Sequence, residues 1–306
     1  MSYLMTVTGS IPVDALGMIL PHEHVVTDLR PPDTPGFGEV VEAEVVAAMT
    51  PYIEAARQAG VTALIECTPA GVGRNVRALR ALSRATSFPI VASAGTYRDQ
   101  LIPEWIRVLS DQEMDCWLRG ELTVGIDGSD VLGGLIKLAV TDTGITPLEE
   151  RVLRAAGRVG AELGVTVASH TVGGRLAVQE AELLAAEGLP AERFVWVHAQ
   201  TEPDMGYHRA LAQRGCYLEY DGIGEGSDPD AYIRRIRGAF GWGLGSRVLL
   251  SQDAGWYRPG EPSGGEKASY DFLPRAFLPL LVENGFTESD IRLLTEENVK
   301  RAFARG

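Results

Sequence analysis

Short apolar segments alternate with longer segments of helical spacing along the whole 306-residue chain. Eight of the apolar segments are rich in Val, Ile and Leu and predict eight strands: GMILPHEHV, VTALIECT, PIVASAG, GLIKLAV, VTVASH, FVWVHAQ, CYLEYDG and VLLSQDA. From His24 to Asp253 the repeat averages roughly 33 residues, close to the ~31 of a 250-residue (β/α)8 barrel. The chain is therefore predicted to be an α/β protein, a (β/α)8 TIM barrel.

No linker or low-complexity tract interrupts the alternation, so we expect residues 1–306 to form a single domain. Two segments are longer than the basic repeat requires, residues 31–39 after the first predicted strand and residues 254–267 after the eighth. Both are rich in Pro or Gly and would lie on the face where such barrels bind ligands.

Composition excludes several classes of protein. Hydrophobic residues make up 45% and charged residues 23%, which excludes a long disordered or fibrous chain. The net charge of −13 would repel a phosphate backbone, so no nucleic-acid partner is expected. No apolar run reaches the roughly 18 residues of a membrane span. The amino terminus has no secretory pattern and the three cysteines are far apart, so we expect a reduced, cytoplasmic protein with no membrane partner.

Four of the five histidines fall at the ends of predicted strands: His22, His24, His170 and His198. A single histidine in an apolar setting is more often a core or surface residue than a ligand. Here, however, strands one, five and six all carry histidine at the same end. His22 and His24 are two residues apart, so both rings project from one face of a strand and can bind one cation. Asp253 ends the eighth strand, which closes the barrel beside the first, and adds a carboxylate. His208 lies in a helical pattern and is assigned no role.

Lys137 lies in the apolar strand GLIKLAV, where alternation points it into the barrel. A buried ammonium costs several kcal/mol or loses its proton. One interpretation is an ion pair with Glu66 or Asp253. The other is an amine that captures carbon dioxide as a carbamate and so bridges two metal ions. Strand spacing alone does not separate the two.

These residues resemble the phosphotriesterase family of the amidohydrolase superfamily, which includes phosphotriesterase-like lactonases. The resemblance lies in HEH on strand one, LIK on strand four, SH on strand five, HAQ on strand six and DAGW on strand eight. It extends to LGMILPHEH, IECTPAGVGRNVRAL, GTY and DAGWYRPGEPSGG, and so covers nearly the whole chain. The resemblance implies a (β/α)8 hydrolase barrel with two divalent metal ions. His22, His24 and Asp253 would bind the more buried ion and His170 and His198 the more exposed one, with carboxylated Lys137 as the bridge. Imidazole and carboxylate ligands favour zinc, although cobalt, manganese and iron also fit.

Departures from the family concern the substrate. Lactonases acting on acyl-homoserine lactones carry Asp-Arg after strand seven, whereas this chain has Asp221 followed by Gly222. The family's Asn-Pro near the end is here Asn298-Val299, a change expected to be structural. Tyr97 matches a lactonase tyrosine and either hydrogen-bonds the leaving oxygen or packs at the rim. Arg74, Arg98 and Arg258 are candidate holders of an anionic substrate group, although Arg74 could equally be a solvated helix residue.

The preferred hypothesis is hydrolysis of a lactone or ester by a metal-bridging hydroxide, with Asp253 receiving the proton. Compact polar lactones such as sugar lactones are expected to react best. A phosphotriester hydrolase with the same centre and a non-catalytic binding barrel are the alternatives. The complete set of six ligand positions argues against the non-catalytic alternative. Barrels that this chain resembles are often homodimers, and a homodimer is compatible with the sequence, which does not itself reveal the assembly.

Overall fold

The computed structural model describes residues 2–306. Short parallel strands and helices follow one another along most of the chain. In chain order the strands are β1 (Tyr3–Thr6), β2 (Gly9–Pro12), β3 (Met18–Val26), β4 (Val61–Glu66), β5 (Ile90–Val91), β6 (Ser93–Ala94), β7 (Leu135–Ala139), β8 (Val167–His170), β9 (Phe194–Val197), β10 (Tyr217–Tyr220), β11 (Val248–Leu250) and β12 (Gly255–Tyr257).

The helices begin with polar caps at several positions, such as the capping boxes at Ser110, Thr146 and Thr287. They are α1 (Glu42–Gln58), α2 (Val76–Thr86), α3 (Glu104–Arg107), α4 (Asp111–Thr123), α5 (Pro147–Leu163), α6 (Gly174–Ala186), α7 (Met205–Arg214), α8 (Pro229–Gly241), α9 (Leu278–Glu283), α10 (Glu288–Arg292) and α11 (Asn298–Phe303). Two π-helical turns, Leu273–Phe277 and Leu293–Glu297, lead into α9 and α11.

The strands form a barrel from two parallel sheets. One sheet has the order β11-β10-β9-β8-β7-β6 and the other β12-β3-β4-β5. The sheets meet at Ala92, which divides the third predicted strand into β5 and β6. At the opposite seam the His22 N–H donates to Ser251 Oγ (2.9 Å) and the Asp253 N–H donates to the His22 carbonyl (3.1 Å). All eight predicted strands are present in order, and the predicted (β/α)8 barrel is confirmed.

Three strands lie outside the predicted set. β1 and β2 form an antiparallel hairpin before the barrel. β12 lies within residues 254–267, the second of the two segments that exceed the basic repeat, and pairs with β3 at His24 and Val26. Gly255 permits this pairing, because a Cβ there would lie 1.8 Å from the His24 carbonyl oxygen. This segment therefore contains a short strand that its composition did not predict.

Apolar side chains fill the lower part of the barrel. They come from inward positions of successive strands, including Ile19, Ile65, Leu135, Val195 and Leu249. Inward positions nearer the carboxyl ends of the strands are polar instead, so the metal-ligand candidates lie directly above this apolar floor. No helix within residues 2–306 has both the length and the apolar character needed to cross a bilayer.

At the last helix, Asn298 Nδ2 donates to the carbonyls of Gly245 (2.9 Å) and Val248 (2.8 Å), while Val299 is buried. The Asn298-Val299 pair therefore anchors α11 to the segment leading into β11.

Candidate metal centre

Three donor atoms converge at the mouth of the barrel. The Nε2 atoms of His22 and His24 on β3 are 3.3 Å apart. Asp253 Oδ1 lies 3.0 Å from His24 Nε2 and 3.8 Å from His22 Nε2. Asp253 adopts a left-handed backbone conformation with φ of 54°, which is uncommon outside glycine and turns its carboxylate toward the histidines.

The chemistry of this donor set fits a divalent metal ion. The outer nitrogen of each ring is hydrogen-bonded, His22 Nδ1 with Glu219 Oε1 (2.8 Å) and His24 Nδ1 with Thr68 Oγ1 (2.8 Å). These contacts leave both Nε2 atoms facing Asp253. Asp253 Oδ1 is buried and has no hydrogen-bond partner within residues 2–306. Donor atoms about 3.3 Å apart can occupy the corners of a tetrahedron whose centre lies about 2.0–2.1 Å from each of them. This is the distance between zinc and a nitrogen ligand. The three groups together form a metal-binding cluster.

The other two predicted histidines lie next to this cluster. His170 ends β8 and His198 follows β9, and their ring centroids are 4.3 Å apart. The His198 ring lies 5.2 Å from that of His22. The structure therefore brings all four predicted histidines and Asp253 to one place, although they come from four separate parts of the sequence.

Asp221 accepts hydrogen bonds from the two histidines it approaches. One oxygen lies 2.5 Å from His198 Nδ1 and the other 3.3 Å from His22 Nδ1, and the His198 N–H adds a third contact at 3.0 Å. Although burial opposes ionisation, the two imidazoles hold the pKa of Asp221 well below its usual range. Because both approaching nitrogens are the outer ones, we assign Asp221 to orienting the rings and not to a metal site of its own.

Electrostatics keep His22 neutral. Burial lowers the pKa of His22 to about 4, even though Asp253 and Asp221 favour its charged form. Burial, together with His198 and Lys137, also lowers the pKa of His170. A neutral imidazole is the form that binds a metal ion.

Lys137 lines the same cavity. It is 1% exposed, and its Nζ donates to the Leu138 carbonyl at 3.2 Å. Within residues 2–306 no carboxylate oxygen lies within 4 Å of Nζ, so the interpretation of Lys137 as the partner of Glu66 or Asp253 is wrong. Glu66 instead accepts hydrogen bonds from the Thr68 hydroxyl (2.5 Å) and the Val25 N–H (3.2 Å).

The metal-ligand candidates line an inner cavity of about 90 Å³. Its wall includes Leu29, Tyr97 and Trp256. The Tyr97 hydroxyl lies 3.0 Å from His170 Nδ1, and burial raises the pKa of this phenol. Tyr97 therefore faces the site and does not merely pack at the rim. Trp256 lies with its ring centroid 4.7 Å from that of His24.

An outer cavity of about 430 Å³ adjoins the inner one. The two cavities share Thr27, Leu29 and Trp256, which form the neck between them. The outer cavity is lined by residues 27–30, which lead from β3 into the first long segment, and by Trp256 and residues 258–261 of the second. Its wall also carries Arg30 and Arg258.

The three predicted anion-holding arginines have different positions. Arg74 does not lie where it could hold an anionic substrate group, contrary to the prediction. Its guanidinium is 2% exposed, is paired with Glu121 (2.5 Å) and Asp127 (2.9 Å), and faces neither cavity. Arg98 lies over the Tyr97 ring at 5.6 Å and 3.5 Å from Asp142. Arg258 lines the outer cavity, with its nearest carboxylate, Glu261, at 3.8 Å.

The buried groups that orient the ligands were not predicted in that role from the sequence. Glu219 and Asp221 contact His22 and His198, while Thr68 and Glu66 form a relay behind His24. A signal for the first pair was available, since two acidic residues alternate within the apolar strand segment CYLEYDG. His208, to which no role was assigned, hydrogen-bonds Tyr220 and the Glu202 carbonyl.

The phosphotriesterase family model matches residues 2–303. The chain belongs to this family. Members of the phosphotriesterase family are metal-dependent hydrolases, and the chain is accordingly a hydrolase with a His/Asp cluster able to bind metal. Among curated relatives, a phosphotriesterase homology protein of Escherichia coli is 30% identical over 295 residues, which cover 95% of this chain and 99% of the relative.

Solved structures of other phosphotriesterase-like proteins share the fold over nearly the whole chain. A mutant organophosphorus hydrolase from Deinococcus radiodurans is 31% identical with a TM-score of 0.87, covering 98% of this chain and 97% of that one. A mutant phosphotriesterase-like lactonase from the same organism is also 31% identical, with a TM-score of 0.88 and coverage of 98% and 99%.

Proposed function

We propose that the protein is a binuclear metal-dependent lactonase that opens a compact, polar lactone ring. The observation that carries this proposal is the narrow inner cavity of about 90 Å³ that the metal-ligand candidates line. Access to these donors passes the neck formed by Thr27, Leu29 and Trp256. A narrow entrance of this kind favours one small ring over a phosphorus centre with three substituents.

His22, His24 and Asp253 would hold the more buried ion, and His170 and His198 the more exposed one, with Lys137 between them as a carbamate. The Lys137 amine would add to carbon dioxide, forming an N–C bond and releasing one proton. The product is an anion of the kind that a cavity with two cations requires. Zinc is the preferred metal, with cobalt, manganese and iron as alternatives. When bound, the two ions would supply an activated water at neutral pH and polarise the substrate carbonyl.

Asp253 is the group best placed to receive a proton. Its side chain is 24% exposed, so the carboxylate faces both the histidines and the cavity. A carboxylate in this position can take the proton of the attacking water and pass it to the leaving oxygen. Tyr97 supports the same step: because burial raises its pKa, the phenol stays protonated at neutral pH and can donate a hydrogen bond to the ring oxygen as the ring opens.

The outer cavity would receive the part of the substrate that does not react. Among residues 2–306 the only carboxylate near Arg258 is that of Glu261 at 3.8 Å, so its guanidinium retains capacity for an anionic substituent. Arg98 is a second candidate above Tyr97. A phosphorylated or carboxylated sugar lactone would satisfy both cavities. Gly222, in place of the arginine of acyl-homoserine lactonases, argues against long-chain acyl-homoserine lactones as preferred substrates.

The test is a comparison of kcat/KM on metal-loaded enzyme for sugar lactones, phosphorylated sugar lactones, acyl-homoserine lactones, aryl esters and a paraoxon-like triester, with Asp253→Asn as the inactive control. A compact polar lactone should give the highest value. A higher kcat/KM for the triester would contradict this proposal and favour the alternative of a phosphotriester hydrolase. One structural neighbour that supports this alternative is an organophosphorus hydrolase. A Trp256→Gly variant, which suits the φ of 76° at this position, should widen the neck and shift the ratio toward the triester.

A further inference from the structure

Glu23, between the two histidines of β3, points to the opposite face of the strand. Its side chain is fully buried. Oε1 accepts hydrogen bonds from Ser251 Oγ (2.9 Å) and the Gln252 N–H (3.1 Å), and Oε2 accepts one from the Ala254 N–H (2.7 Å). Glu23 forms no salt bridge within residues 2–306, so its buried carboxyl oxygens are satisfied by hydrogen bonds from the end of the last barrel strand.

The two backbone amides that Glu23 binds are those on either side of Asp253. The Asp253 N–H itself donates to the His22 carbonyl at 3.1 Å, and the His24 N–H donates to the Ala254 carbonyl at 2.8 Å. Three consecutive residues around Asp253 are therefore tied to β3. This attachment holds Asp253 at its φ of 54°, a left-handed conformation that is unfavourable for a residue other than glycine.

We propose that Glu23 is a positioning residue that fixes the Asp253 carboxylate against His22 and His24. Glu219 contacts the side chain of His22, and Glu66 contacts the side chain of Thr68 behind His24. Glu23 acts on the backbone that carries the third ligand. Without it, two buried amides would lose their acceptor and the left-handed turn would lose its support, so Oδ1 would no longer lie 3.0 Å from His24 Nε2.

This inference rests on the proposed function only for its effect on turnover; its effect on metal binding is measured separately. In Glu23→Gln the side-chain amide oxygen can accept a hydrogen bond from one of the two backbone N–H groups. The amide NH2 group then faces the other N–H, and two donors cannot form a hydrogen bond. We expect Co²⁺ to bind about 10–100-fold more weakly, the range typical of lost supporting hydrogen bonds. The visible absorption of the bound Co²⁺ should shift, and kcat should fall more than KM changes.

The matched control is Glu149→Gln. Glu149 is also buried and accepts from backbone amides, those of Asp99 (2.9 Å), Thr141 (3.0 Å) and Thr146 (2.9 Å), but it lies away from the metal ligands. This variant should lose thermal stability while keeping wild-type Co²⁺ affinity and absorption. Glu23→Asp, which keeps the carboxyl group but withdraws it by one methylene, takes the place of Glu23→Gln should that variant not fold, and the same weakening is expected.

A double-mutant comparison separates positioning from general stability. In an Asp253→Gly background, where the ligand is absent and glycine accepts the left-handed backbone, Glu23→Gln should change Co²⁺ affinity by no more than about twofold. Equal losses in both backgrounds, or wild-type affinity and absorption in Glu23→Gln, would overturn the inference. A wild-type protein that binds Co²⁺ but hydrolyses no lactone would overturn the proposed function and leave the inference standing, whereas failure of the wild type to bind Co²⁺ would overturn both.

Discussion

The surroundings of Arg74 and Lys137 show two ways in which one barrel buries a positive charge. The Arg74 guanidinium is 2% exposed and contacts Glu121, Asp127 and the Ser93 carbonyl. Although burial opposes its charge, these carboxylates raise the pKa of Arg74. Lys137 is 1% exposed, and within residues 2–306 its Nζ has only the Leu138 carbonyl as a hydrogen-bond partner. The paired cation belongs to the framework, whereas the unpaired one lies among metal-ligand candidates, which indicates a role in chemistry.

Replacing Lys137 should have the largest effect on activity. Lys137→Ala removes the proposed bridge between the ions, so metal should be lost and kcat should fall on the order of 10³-fold or more. Millimolar short carboxylic acids should partly restore both by occupying the space of the carbamate. Metal analysis and lactone hydrolysis with and without propionate measure this. Full activity in Lys137→Ala, or a mass showing unmodified lysine in the active metal-loaded enzyme, would refute the bridging role.

In the metal-free protein, replacing Lys137 should not reduce stability. Lys137→Met keeps the volume of the side chain but removes a buried group with no carboxylate partner. Its free energy of unfolding should match or exceed that of the wild type, by up to about 1–4 kcal/mol. Chemical denaturation of both metal-free proteins tests this. A strongly destabilised variant would show that Lys137 supports the framework and would erase the contrast with Arg74.

Replacing Arg74 should reduce stability and leave the metal site intact. Arg74→Met leaves Glu121 buried without its cation and should lower the free energy of unfolding by about 3–5 kcal/mol. The double variant Arg74→Met/Glu121→Gln should recover part of this loss, because the unpaired charge is gone. Metal content and KM for a phosphorylated lactone should stay near wild-type values in the single variant. A large rise in that KM would restore Arg74 as an anion holder.

Glu180 provides a smaller effect that depends on pH. Burial raises its pKa to about 7, against hydrogen bonds from Ser169 and Thr171 that lower it. The folded state therefore binds the proton more tightly than the unfolded state, whose pKa is near 4.5. The stability of the metal-free protein should be full below pH 4.5 and decline as pH rises toward 7. Relative to Glu180→Gln, the wild type should lose on the order of 1 kcal/mol per pH unit in this window. Parallel curves for the two proteins would contradict the assignment.

Local pattern predicted much of the fold and the ligands from sequence. Residues two apart on a strand share a face, which correctly placed His22 with His24 and turned Lys137 inward beside Leu135. Parallel strands of a barrel end on one face, which brought His170, His198 and Asp253 to the same mouth.

Partners distant in sequence could not be predicted in this way. The environment of Arg74 depends on Glu121 and Asp127, 47 and 53 residues further along the chain, and no local pattern shows that they meet. The task of Glu23 depends on hydrogen bonds to residues more than 200 positions away. The size of the inner cavity depends on how Leu29 and Trp256 pack over the mouth, which is a property of tertiary structure.

The most direct test of the central claim is the number of metal ions in the active protein. Protein purified after growth with ample zinc, and separately reconstituted with Co²⁺, should contain two divalent ions per chain by elemental analysis, and His22→Ala should contain fewer while remaining folded. This result is expected because four histidines, Asp253 and Lys137 share one cavity. An active wild-type enzyme with at most one ion per chain under both conditions would contradict the binuclear account.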